Sequence, residues 1–504
     1  MALGDDGDLR THLLSGHHDT RSGEARASSA STASVGTATA DSSSYVSMED
    51  GAAAQPLLMD DTDDSDYELV SKRETLVFED EVRRMRVSEN QGDGFFQVYI
   101  MNKIQPGSVK GSMFTMTVAI VGAGVLSLPY AVEQAGLVLG LLLILGGALV
   151  TNFSLRILLA CAELANARSY MDLARITGGA PLAGFTQFVV CLNLFGTSVG
   201  YLVGSAELLQ LAVKAFLGES SHSVFVNRQD LILILTTCFV LPLALFRSLE
   251  SLRFSSLFSI ICIVFMALVI VTKYFQFVHL GFAPDIAYQL THLTLFDWRF
   301  PRLLTAIPLV IFVYTCHPNV LPIYLVLKRR SSARMYKVMN RSIGISAAVY
   351  AFCGAFVVLT FGEQTRSNFL KNDYHHDDAV LLGSIGFSIA LILTVPLFIH
   401  TLRDNLREAL LHNRRLSTIQ HGAVSVLLVL LIFVVAELSG DIASVLSLLG
   451  ATTNPVICFL LPAYFIHRVG PARLQTQKVL AILLALVATA VSICSVLHQM
   501  HVLH

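Results

Sequence analysis

Two stretches of the chain hold residues able to do chemistry within an apolar setting. "AIVGAGVLSLPY" (119–130) carries Gly122, Gly124 and Pro129, and "CHPNVLPIY" (316–324) carries His317, Pro318, Asn319 and Pro322. A proline inside an apolar run lacks the N–H that a helix needs, and glycine tolerates unwound backbone, so each stretch predicts an interrupted helix. At an interruption, the amides starting one half-helix and the carbonyls ending the other lose their intrahelical partners. Freed amides suit a carboxylate, and freed carbonyls suit an amine or a cation. One interruption alone is equally well explained by small residues that let helices pack closely. Two of them, with His317 and Asn319 at mid-depth, favour a polar cavity.

The elements that must position these residues are membrane helices. The chain has 504 residues, 54% apolar and only 14% charged, well outside the range of soluble domains. Apolar runs long enough to cross a hydrocarbon core recur at about 108–132, 136–160, 182–210, 229–246, 253–275, 303–327, 341–362, 379–401, 421–438, 442–466 and 477–499. That predicts an all-α polytopic membrane protein of eleven spans, with discontinuous helices in spans 1 and 6. Their spacing fits an inverted 5+5 repeat, spans 1–5 and 6–10, with span 11 as an addition.

Residues 1–105 differ in kind. They combine an Ala/Ser/Thr/Gly stretch (27–44) with an acidic run (59–70) and hold 20 acidic against 9 basic residues, which predicts a disordered acidic, Ser-rich cytosolic tail preceding a transporter domain over 106–504. The start, "MALGDDGDLR", is acidic where a signal peptide would be basic. "YVSM" (45–48) and "YELV" (67–70) fit Tyr-x-x-apolar sorting signals, so trafficking adaptors are the partners expected of the tail.

Charge orients the spans. With a cytosolic tail, the cytosolic face carries 19 Lys/Arg and the opposite face 7, and "KRRSSARMYKVMNR" (328–341) holds six basic and no acidic residues. The positive-inside bias accounts for that cluster and places the C-terminus on the far side. The eight cysteines sit in or at the edges of spans, which suggests neither a disulfide framework nor a zinc site. The chain has no P-loop, G-x-S-x-G, His-Glu-x-x-His or dinucleotide fingerprint, and its spans contain no set of residues suited to an intramembrane hydrolase. An enzyme is not expected, nor a metal, a cofactor or a nucleic-acid partner. Without a charged ring or filter-like repeat, a channel is disfavoured as well.

Both interrupted stretches resemble the amino acid/auxin permease family, most closely its system A/N neutral amino acid transporter branch. That branch carries a span 1 pattern like Asn-x-Ile-Val-Gly-Ser-Gly-Ile-Leu ending in Tyr-Ala, and a span 6 pattern Cys-His-Pro-Glu-Val-Leu-Pro-Ile-Tyr. This chain has "VAIVGAGVLSLPYA" (118–131) and "CHPNVLPIY", with a weaker match at "ILTVPLFIHTLRDNL" (392–406). The resemblance implies the inverted-repeat fold of leucine-type sodium symporters and secondary active transport of neutral amino acids by alternating access. It places the substrate carboxylate at the backbone of Gly122, Ala123 and Gly124. The amine falls to carbonyls near Ala119, Ile120 and Tyr314, with Thr315 and His317 beside the pocket.

Two departures bear on coupling. Sodium-coupled members place Asn where this chain has Val118 and Glu where it has Asn319, while Thr394 matches the span 8 Thr of their proposed ion site. A hard cation prefers oxygen ligands and valine's side chain has none, so proton coupling through His317 is expected over sodium. Sodium symport stays open, as does an amino acid sensor that signals through the tail. Glu437 and His400 are expected at the interfaces, and Glu207 at the outer rim of span 3. Thr452, Thr453 and Asn454 either line the cavity or bond their own helix. The expected location is the plasma membrane or an endolysosomal or vacuolar membrane.

Overall fold

The computed structural model describes residues 107–217, 227–246, 253–281, 288, 291–374, 377–411 and 417–502. The predicted tail and its two sorting patterns lie outside the described residues. Among the described residues every regular element is helical. Ten helices are long and apolar enough to cross a membrane, and a bent pair supplies an eleventh span.

Span 1 is that pair. Val109–Ile120 and Gly124–Ala135 meet at 60° across residues 121–123. Spans 2 to 5 are Leu137–Leu164, Tyr170–Leu217, Arg228–Leu245 and Arg253–His279. Span 6 consists of Phe300–Val313 and His317–Val326, separated by a non-helical turn. Spans 7 to 11 are Ser332–Phe361, Asp378–Leu411, Thr418–Leu438, Ile442–Val469 and Gln475–Val502.

Four spans differ from the sequence expectation: span 7 begins at Ser332 rather than near 341, span 8 runs on to Leu411 rather than ending near 401, and spans 3 and 10 depart in their course. Span 3 starts at Tyr170 rather than near 182, because Gly179 (φ 73°) before Pro181 joins two helical pieces across a kink. Span 10, predicted as one helix, is broken at Thr452 (φ −117°, ψ −80°) and continues through a π-helical turn at Val456–Leu460.

Burial separates a core from a perimeter. The apolar windows of spans 10, 3 and 8 are 72%, 61% and 61% buried within the protein, against 28% and 22% for spans 9 and 11. The outer helices turn Leu427, Leu430, Leu483 and Leu486 outward, as acyl chains permit. At the centre, glycines set the packing distance. Gly196, Gly200 and Gly204 form a stripe on span 3 that receives Leu449, Leu446 and Ile442 of span 10. A Cβ on Gly450 would lie 1.9 Å from the Pro308 carbonyl oxygen, so spans 6 and 10 touch backbone to backbone.

The end of the bundle where spans 1 and 7 finish is closed by ion pairs. Arg302 contacts Glu133 (3.4 Å) and Asp297 (3.2 Å), tying the start of span 6 to the end of span 1. Asp297 lies in the loop before span 6, and its carboxyl is held at about 2 by hydrogen bonds from Arg299 and by the nearby guanidinium charges. The loop between spans 7 and 8 is anchored at two points. Lys371 pairs with Glu207 of span 3 (3.1 Å), and Asp377 pairs with Lys273 of span 5.

Candidate functional site

The two interruptions form one site. Gly124 packs so closely on span 6 that a Cβ there would lie 2.3 Å from Val313 Cγ1. Tyr350 of span 7 joins them: its hydroxyl lies 2.7 Å from the Ile120 carbonyl oxygen and 3.2 Å from that of Val313, and its one hydrogen is shared between them. These are the terminal carbonyls of the first halves of spans 1 and 6, the groups a helix break leaves without partners. Tyr350 is fully buried, with its ring set edge-on to that of Tyr314, 5.6 Å away.

A second tyrosine holds the amide side. The Ala123 amide donates to the Tyr201 hydroxyl at 3.2 Å, and a Cβ on Gly122 would come within 2.0 Å of the same oxygen. Glycine at 122 is therefore required by close approach. Tyr201 belongs to span 3 and is braced edge-on against Phe398 of span 8, with ring centroids 5.0 Å apart. Three spans thus converge on the unwound residues of span 1 without a charged side chain among Ile120, Gly122, Ala123, Gly124, Val313, Tyr314, Tyr201 and Tyr350.

The span 6 turn divides its residues between two neighbourhoods. Tyr314 sits beside Tyr350 and the span 1 break, whereas Thr315 donates to Ile311 in its own helix (3.0 Å) and lies 3.4 Å from Cys458 Sγ of span 10. His317 begins the second half-helix, followed by Pro318 at a position where the missing N–H costs nothing. Its ring is fully buried and faces span 2, with Nε2 3.2 Å from Ser154 Oγ. Ser154 donates its only hydrogen to the Cys458 carbonyl, so it accepts from His317, which fixes the Nε2–H tautomer. Nδ1 is buried and makes no protein hydrogen bond.

Span 10 forms the far wall of this second neighbourhood. Its π-helical turn leaves the carbonyls of Ile457 and Cys458 to side chains, and Tyr170 (2.6 Å) and Ser154 bond them. Just before that turn, Asn193 of span 3 donates to Thr453 Oγ1 (2.9 Å) and to the Asn454 side-chain oxygen. Thr452 bonds its own helix, through the Leu448 carbonyl at 2.7 Å.

The remaining candidates fall in several places. Ala119 and Val118 are partly buried at the end of the first half of span 1, and Asn319 is exposed. The Thr394 hydroxyl donates to the Ala390 carbonyl of its own helix at 2.8 Å. His400 is partly exposed and lies 3.2 Å from Asp404. Glu207, expected at the rim, has no exposed side-chain surface. Besides pairing with Lys371, it accepts from Asn368 (3.0 Å) and from the first amide of span 10, Ile442 (3.3 Å), so its charge is used in holding three elements together.

Sequence reasoning missed Tyr201, Tyr350, Ser154 and Asn193. The glycine repeat at 196, 200 and 204 marks a close-packing face of span 3 near Tyr201, but no local pattern distinguishes these polar residues from others in apolar helices.

Residues 105–501 match a family model described as transmembrane amino acid transporter protein. Over 380 residues the chain is 27% identical to the sodium-coupled neutral amino acid symporter 2 of Danio rerio, covering 71% of this chain and 75% of that protein. Among solved structures it is similar to MhsT in complex with L-phenylalanine, with a TM-score of 0.52 and 13% identity, covering 77% of this chain and 98% of the other. It is also similar to Mhp1, a nucleobase-cation-symport-1 family transporter in a closed conformation with bromovinylhydantoin bound, with a TM-score of 0.51 and 12% identity over 78% and 92% of the two chains. The likeness to these structures shows the fold, that of leucine-transporter-like membrane proteins.

Proposed function

Because the chain belongs to the transmembrane amino acid transporter family, we propose that its interrupted spans bind a neutral amino acid and carry it by alternating access, coupled to protons. The observation that carries this reading is the Tyr350 hydroxyl shared between the Ile120 and Val313 carbonyls, beside an Ala123 amide bonded to Tyr201. A substrate carboxylate at the backbone of Gly122, Ala123 and Gly124 competes with the Tyr201 oxygen for the Ala123 amide and with the Ile120 carbonyl for that of Gly122. The ammonium group, at carbonyls of Ala119, Ile120 and Tyr314, competes with the Tyr350 hydroxyl for that of Ile120. Binding exchanges internal hydrogen bonds for new ones and buries no fixed protein charge, so affinity stays modest and release is possible. Thr315 and His317 line the adjoining wall toward spans 2 and 10.

The proton is assigned to His317. Its Nδ1 is a buried acceptor without a protein partner, next to the turn that must move, and a histidine charge responds to small changes of surroundings. Val118 brings no side-chain oxygen to the break, which weighs against sodium. Two observations favour sodium as the second reading: the Danio rerio relative is named as sodium-coupled, and Thr394 is present. The cytosolic N-terminus and extracytosolic C-terminus follow from the basic residues at the inner ends of the spans, and a plasma or endolysosomal membrane is the proposed site of action.

Counterflow in proteoliposomes against twenty amino acids, at two pH values and with sodium or potassium outside, tests these points together. Exchange of neutral amino acids driven by a pH gradient is expected, and Val118→Asn is expected to introduce sodium dependence. Absence of exchange across the panel overturns the substrate, and a parent chain driven by sodium overturns the proton.

A further inference from the structure

We propose that Ser332 is a phosphorylation site for a kinase that selects arginine two and three residues upstream, and that phosphate there releases the inner end of span 6. The proposal rests on the orientation inferred above, which puts this end of the bundle in the cytosol.

Its sequence basis lies within the basic cluster at 328–341. Arg329 and Arg330 precede Ser332 at those two spacings, and no acidic residue occurs between 328 and 341. Lys328, Arg329 and Arg330 are all exposed in the short loop joining spans 6 and 7, and Ser332 is partly exposed in the first turn of span 7. Charge patterns of this kind are how kinases choose substrates.

The structural basis is what the Ser332 hydroxyl touches. It lies 2.7 and 2.9 Å from the two carboxylate oxygens of Glu163, at the end of span 2. The same carboxylate accepts from the Tyr324 hydroxyl of span 6 at 2.5 Å, and Arg330 lies over the Tyr324 ring, 5.5 Å from its centroid. Glu163 thus fastens span 6 and span 7 to span 2. The loop it steadies also holds the entry of span 1, because the Lys328 amide donates to the Gly107 carbonyl at 2.8 Å.

Phosphoryl transfer forms a bond from Ser332 Oγ to the γ-phosphorus of ATP and breaks the β–γ anhydride. ADP leaves and the hydroxyl proton passes to the kinase base. The product bears a charge of about −1.5 to −2 in place of a hydrogen-bond donor, directly against Glu163. Two anions cannot share that space. Glu163 is displaced, Tyr324 loses its acceptor, and the loop is released together with its bond to Gly107. The neighbouring Ser331 behaves oppositely. Its hydroxyl caps span 7 by accepting the Arg334 amide, and an anion at a helix N-terminus reinforces the cap.

The test starts with the purified full chain in nanodiscs, treated with ATP and the catalytic subunit of a kinase that prefers arginine at these two positions. Peptide mass spectrometry is expected to locate phosphate on Ser332 and to find none there in Ser332→Ala. Phosphate only on Ser331 or elsewhere overturns the site. Counterflow then compares Ser332→Glu with Ser332→Ala, and the rates are expected to differ by about threefold or more, narrowing to below about 1.5-fold when Glu163→Gln is added to both. Equal rates, or a difference that persists beside Glu163→Gln, overturn the switch. Mapping requires neither flux nor a sealed membrane, so a chain phosphorylated on Ser332 that exchanges nothing counts against transport and not against the site.

Discussion

Gly122→Ala, with and without Tyr201→Phe, probes the site most directly. The new methyl carbon would lie 2.0 Å from the Tyr201 oxygen, about 1.4 Å short of an ordinary van der Waals contact at 3.4 Å. The ring cannot easily withdraw, because Tyr201 is buried and braced against Phe398. Overpacking of this kind costs about 1–3 kcal/mol. Tyr201→Phe alone costs about 1 kcal/mol by removing the acceptor of the Ala123 amide. With the oxygen gone, the nearest atom to the methyl group is the ring Cζ at 3.3 Å, a contact that a few tenths of an ångström would relieve. The double variant is therefore expected to be more stable than Gly122→Ala alone, with a coupling of about 1–2 kcal/mol between the sites. Heating purified protein and following the monodisperse fraction by size exclusion measures this, and counterflow reports on substrate binding. A Gly122→Ala protein as stable as its parent, or a double variant that merely adds the two losses, refutes the geometry.

Other consequences follow from the same contacts. Tyr350→Phe removes the donor from two buried carbonyls, and a loss of about 1–3 kcal/mol is expected in thermal unfolding, together with slowed counterflow. Glu207→Ala strands Lys371, Asn368 and the Ile442 amide, and is expected to cost about 3 kcal/mol. That is the low end for a broken buried pair, since Lys371 is partly exposed to screening solvent; Lys371→Ala should cost less in the same assay. Acid provides a further check. The carboxyl of Asp297 is depressed to about 2 in the folded chain, so its contribution is complete above its unfolded value near 3.8 and is lost as pH falls through about 2. Unfolding temperature is expected to drop between about pH 4 and pH 2, and less so in Asp297→Asn, whereas endolysosomal acidity should leave the Asp297 carboxylate charged.

Much of the fold was legible because the bilayer constrains sequence so strongly. An apolar run of span length has few alternatives, and all eleven predicted spans occur in order, although spans 3, 7 and 8 run about ten residues beyond the ends expected of them. The two interruptions were legible for the same reason, since glycine and proline stand out in a helix that must satisfy its own backbone. The helical piece from Tyr170 was missed because Gly179 and Pro181 read as a helix boundary and packing carried the span across it, whereas the Thr452 break was missed because its neighbours can continue a helix.

The site was less legible. Glu207 and Ser154 look alike to a sequence reader, one as a charge near a helix end and the other as a small polar residue in a span. Their roles depend on Lys371 and His317, which lie 164 and 163 positions away in the chain. From sequence alone, this protein is a multi-pass helical membrane protein with backbone groups freed at Gly122–Gly124 and at Tyr314–Cys316. Tertiary structure decided which hydroxyls those groups meet, that Tyr350 joins the two breaks, and that His317 turns toward span 2. The physical reason is that a freed backbone group in a membrane must find a partner within hydrogen-bond reach, and only the packing of distant helices brings that partner there.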